Sequence, residues 1–110
     1  MLQSMTKSQK KHLRYLASIA YDRELGFALD RLFEVYQQWK SDEIEAWDVN
    51  EEIHKYHNGK SRELFNRYAS PDPCVLVVRA IADGILKLEE VNEDCRALLE
   101  ADLELFRTKE

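Results

Sequence analysis

Between Ser8 and Lys40, Leu13, Leu16, Ala17, Ala20, Phe27, Ala28, Leu32, Val35, Tyr36 and Trp39 recur at three- and four-residue steps with no proline between them. That is the period of an α-helix with one apolar stripe, so this stretch predicts one long helix or two stacked ones. Gly26 is the expected bend, although one internal glycine costs only about 1 kcal/mol relative to alanine and need not break a helix. A helix of this length cannot bury its stripe alone, and the rest of the chain has to supply its partners.

The remaining segments also read as helices. A second is expected from Ala46 to His57, with Ala46, Val49, Ile53 and Tyr56 inward. Asn58-Gly59 should stop it, because both residues tolerate positive φ. A third, from Ser61 to Tyr68, would use Ser61 as its N-cap. Ser70-Pro71-Asp72-Pro73 then resets direction, with Asp72 as N-cap and Pro73 at the first helical position. The segment Cys74 to Asp83 is apolar on nearly every side except at Arg79. Its Asp-Pro start, its Gly84 end and the Leu76-Arg79-Ala80-Asp83 spacing favour a buried helix over a strand. A last helix should start after Asn92 and run to Arg107, presenting Cys95, Leu98, Leu99, Asp102, Leu103 and Phe106.

With 110 residues, 45% of them hydrophobic and 34% charged, three Gly and two Pro, the chain predicts an all-α single domain over 1–110. The expected architecture is an irregular bundle of about five helices around the Cys74 to Ile85 segment, with residues 1–6 disordered and Met5 an alternative start. Cys74 and Cys95 form no C-x-x-C pair and read as reduced core thiols, which points to the cytoplasm. The longest apolar run, Cys74 to Val78, falls far short of the roughly 20 residues of a membrane span, so no membrane is expected.

The net charge of −5 is unevenly spread: residues 1–21 hold Lys7, Lys10, Lys11 and Arg14 and no acid, while residues 22–110 hold 12 bases and 21 acids. The basic cluster offers a sequence-independent attraction for phosphates and hence a nucleic-acid reading. The stronger reading pairs it with the acidic residues 89–110, within a chain or between protomers.

Asp48 to Ser61 is the segment richest in chemistry. Glu51, His54 and His57 sit at three-residue steps and would supply ligands for zinc or iron, with Glu24 arriving from the first helix. Against this, Glu51 and His57 lie about 120° apart around an ideal helix, and His57 suits the end of its helix as a structural residue. A di-iron bundle needs a second Glu-x-x-His helix, which is missing. Gly59-Lys60-Ser61 lacks the earlier glycine of a phosphate loop, and no calcium loop or H-E-x-x-H pattern occurs. The sequence therefore assigns no catalytic residue and no cofactor.

Trp39, Trp47, Tyr36, Tyr56, Phe65 and Tyr68 crowd the middle third. Trp47, Asn50 and His54 share the side of their helix away from Val49 and Tyr56, a mixed aromatic and polar strip suited to a partner. The expectation is a small cytosolic, non-catalytic protein-protein interaction or regulatory module with a protein partner or a homodimer. The metal protein or metal-dependent enzyme is the first alternative and the nucleic-acid regulator the second. No small-molecule ligand is assigned.

Overall fold

The computed structural model describes residues 5–109, and side chains up to residue 104. Helix α1 (Lys7–Lys40) runs unbroken through Gly26. Next come α2 (Ala46–Tyr56), a π-helical turn (His57–Ser61), α3 (Arg62–Arg67), α4 (Pro73–Ala82), a short 3-10 turn (Leu88–Glu90) and α5 (Glu93–Lys109). There is no strand among the described residues. The all-α expectation holds, but four helical rods replace the expected five.

The missing break is at Asn58-Gly59. Tyr56, His57, Ser61 and Arg62 all keep right-handed helical backbone angles, and Gly59 takes no positive φ, so α2, the π turn and α3 form one rod. Ser61 makes no side-chain cap. The physical cause is the inward face. Val49 and Tyr56 are seven apart, two turns that return to one side. Tyr56 and Leu64 are eight apart, and the surplus residue of a π turn brings Leu64 back into line. Leu64 is wholly buried there, a gain that outweighs the turn preference of Asn-Gly.

The other boundaries follow local chemistry. Thr6 and Gln9 form a capping box at the start of α1. Asp72 accepts from the Cys74 amide at 3.0 Å with Pro73 at the first helical position, and Asn92 accepts from the Cys95 amide at 3.0 Å. Gly84 turns the chain after α4 with φ +78°. Between α1 and α2, Asp42 takes φ +60°, a conformation that aspartate tolerates better than most residues. Of the six leading residues, 1–4 lie outside those described. Met5 is buried against the core and Thr6 caps α1.

The molecule is elongated, 55 × 24 × 23 Å, because α1 outruns the elements that cover it. Its N-terminal half packs on α4 and α5, and its C-terminal half packs on the single rod of α2, the π turn and α3. The core sits at the first end: Leu13, Leu16 and Ala20 meet Cys74, Val77 and Val78 of α4, Leu86 and Val91 of the connection, and Leu99 of α5. Arg23 locks this end from outside. It donates to both Glu90 carboxylate oxygens, at 2.8 and 2.6 Å, and to the Ile85 carbonyl at 2.9 Å. That pairing, helped by the Lys87 amide, holds the Glu90 carboxyl down at about 2.

Candidate interaction surface

The C-terminal half of α1 and the α2 rod make a two-helix arm. A helix layered against only one other has one face covered and its flanks open. Val35 is buried between the two helices, whereas Phe27 (62%), Leu29 (49%), Phe33 (58%) and Tyr36 remain largely exposed. The expected inward placement of Phe27 and Tyr36 is thereby corrected. Their angular positions fall outside the sector that a single partner helix can cover. On the other rod, Trp47 (71%), Ile53 and Phe65 also face solvent.

Two open grooves flank the seam between α1 and α2. One, of about 450 Å³, is lined by Phe27, Ala28, Arg31, Leu32, Tyr56 and Lys60, with Glu24 at its edge. The other, of about 310 Å³, lies between Tyr36 and Trp39 of α1 and Ala46, Val49, Asn50 and Ile53 of α2. Beside it Tyr36 and Trp39 meet edge to face with centroids 5.4 Å apart, and the Lys40 ammonium stands 4.8 Å from the Trp39 ring centre. Each of the two rings thus has a packing partner on its own helix.

The base of the arm is tied by Glu24, whose side chain is largely buried. It accepts from the Tyr68 hydroxyl at 2.5 Å and from Arg67 at 3.1 Å, and Arg67 also donates to Glu63 at 3.2 Å. The Tyr68 ring stacks on Tyr21 at 4.9 Å. Burial first, and the bond to Glu24 second, raise the Tyr68 phenol above its ordinary range, so the proton stays on the tyrosine. Glu24 thus serves the junction of α1 and α3. The sequence reading offered Glu24 only as a metal ligand, and the structure engages its carboxylate with Arg67 and Tyr68 instead.

The residues singled out in the sequence fall as follows. Trp47, Asn50 and His54 are exposed on α2, and Asn50 lines the smaller groove opposite Tyr36. Glu51 is exposed and lies 3.9 Å from the Lys55 ammonium, His54 is exposed, and His57 sits inside the π turn instead of at a helix end. Among the described residues, no three or more His, Cys, Asp or Glu side chains are gathered as a metal site. Lys7, Lys10, Lys11 and Arg14 occupy the first two turns of α1. Among the described residues, neighbours of these four side chains reach the acidic C-terminal region. Gln9 donates to the Asp94 carbonyl at 3.0 Å, and His12 Nε2 accepts from the Asn92 amide at 3.1 Å.

Both thiols are buried and unpaired by disulfide. Burial, then Asp102, pushes Cys74 up to about 11, and burial raises Cys95 too, so neither supplies a thiolate near neutral pH. The helices among the described residues include none long and apolar enough to cross a membrane. Compared with known protein families, curated proteins and solved structures, the chain matches none.

Proposed function

We propose that this protein is a small non-catalytic interaction or regulatory module whose working surface is the arm formed by the C-terminal half of α1 and the α2 rod. The observation that carries the reading is the concentration of Phe27, Leu29, Phe33, Trp47, Ile53 and Phe65 in solvent on that arm, whereas among the described residues of the packed end the large exposed apolar side chains are Tyr15 and Val75. Scattered exposed apolar residues are ordinary, but a group of large ones on one projecting unit marks an interaction surface. Aromatic side chains supply rigid buried area on binding, and the flanking Lys55, Glu52 and Lys60 give the polar rim that such surfaces carry. The two free, buried cysteines fit a reducing, cytoplasmic setting.

Photo-cross-linking in cells tests this reading. A photoreactive residue at position 33 or 47 should give cross-links to an identified protein, self or other, in excess of one placed at exposed Arg79 on the packed end. Equal or weaker cross-linking from the arm overturns the proposal.

A further inference from the structure

The exposed side of α1 carries a second stripe that the fold of one chain leaves uncovered. Asp22, Gly26, Leu29, Phe33, Tyr36 and Lys40 follow one another at alternating steps of four and three residues. At about 100° per residue they fall within roughly 80° of each other around the helix. Alternating four-three spacing is the pattern of a helix seam that meets another helix along its length. Leu29, Phe33 and Tyr36, at its middle, are among the most exposed large apolar residues of the chain.

The stripe is also its own complement when reversed. Residues 22 and 40, 26 and 36, and 29 and 33 are placed symmetrically about position 31. Two copies crossing antiparallel there would set Asp22 against the partner's Lys40, Gly26 against the partner's Tyr36, and Leu29 against the partner's Phe33. A parallel pair would instead set acid on acid and base on base. Asp22 forms no ion pair among the described residues, and both it and Lys40 are exposed.

Gly26 adds a separate indication. A Cβ built there meets nothing within 4 Å, so the single chain gives no steric reason for a glycine in mid-helix, where it weakens the helix. A bulky ring arriving from a second copy gives one. The groove holding Asn50 and Ile53 opens beside Tyr36, so α2 flanks the same face and would contribute to it.

We infer that the arm's partner is a second copy of this chain, docked antiparallel about position 31 of α1 so that the two arms close into a four-helix bundle. This rests on the reading of the arm as the working surface and names its occupant. The two-fold symmetry makes the interface isologous, so each substitution acts twice. The elongated shape then becomes that of a half-bundle, with the two packed ends at opposite extremities.

Sedimentation velocity of the untagged full chain over micromolar concentrations tests the inference, with far-UV circular dichroism on each variant to establish that it is folded. Wild type should sediment as a dimer. Phe33→Glu should weaken it about a hundred-fold by placing a charge at the centre of the seam. Asp22→Lys and Lys40→Asp should each weaken it about ten-fold, and the double variant D22K/K40D should return to near wild-type affinity, because the exchange restores opposite charges only in the antiparallel arrangement. Gly26→Met should weaken the dimer while leaving the helix at least as stable. A monomer throughout, a dimer indifferent to Phe33→Glu, or no rescue in the double variant overturns the inference. If the chain is monomeric while the arm still cross-links to another identified protein, the second copy is excluded and the interaction-module reading stands. If the arm cross-links to nothing, both fall.

Discussion

Leu99 and Phe33 are both large apolar residues on amphipathic helices, yet Leu99 is fully enclosed and Phe33 is 58% exposed. The difference lies in what surrounds the helix. At the packed end α1 is covered by α4, by α5 and by the connection between them, whereas along the arm it has one rod, that of α2, the π turn and α3. A helix needs neighbours on two sides to bury a broad apolar sector, so the same sequence pattern gives a core at one end and a surface at the other. The arm is therefore the low-stability half of the molecule, and it is also the half with area left to give to a partner.

The sharpest way to break this contrast is at its extremes. Leu99→Ala should lower unfolding free energy by about 2–5 kcal/mol in urea titrations, as a large-to-small change in an enclosed core does. Trp47→Ser, at a site mostly in water, should shift stability by no more than about 0.5 kcal/mol. Comparable losses would mean the arm is packed as tightly as the core. Next in size is Asp72→Ala, which removes the acceptor for the Cys74 amide and should cost about 1 kcal/mol in the same titration.

At concentrations low enough to keep the chain monomeric, Gly26→Ala should raise the melting temperature, by an amount equivalent to about 0.5–1 kcal/mol, since within one chain the site is open and helical. A fall would show the arm to be more constrained there than its geometry indicates. The smallest effect is electrostatic. The Glu90 carboxyl is held at about 2 in the fold against an ordinary value near 4.5, so its stabilising contribution is complete above the ordinary value and disappears as the pH falls from about 4.5 to about 2. Wild type should lose stability across that window more steeply than Glu90→Gln. Because Arg23 and Glu90 are both partly exposed, the difference is modest and should shrink further in salt.

Much of the packed end was legible in the sequence. Asp72-Pro73, Gly84 and Asn92 act locally, through caps and backbone angles, and local chemistry survives the move from sequence to structure. Asn58-Gly59 misled for the complementary reason. A turn preference worth about 1 kcal/mol lost to the burial of Leu64 several residues away. The crowd of aromatics in the middle third was visible too. Their division into covered and uncovered depends on how many helices surround α1, which no window of sequence contains. Trp47 stands out in sequence by residue type, whereas Leu29 and Phe33 lie outside the stripe of Ala28, Leu32 and Val35 that defines the inward face of α1.

The π turn has a consequence for chain length. It holds one residue more than two regular α-helical turns would need between Tyr56 and Leu64. Removing Gly59 would let the rod relax to ordinary α-helix with Leu64 and Arg67 still pointing at α1. The same deletion a turn earlier, within α2, would swing every downstream side chain by about 100°. The rod thus carries its spare residue at one place, and shortening is tolerated there and nowhere else along it.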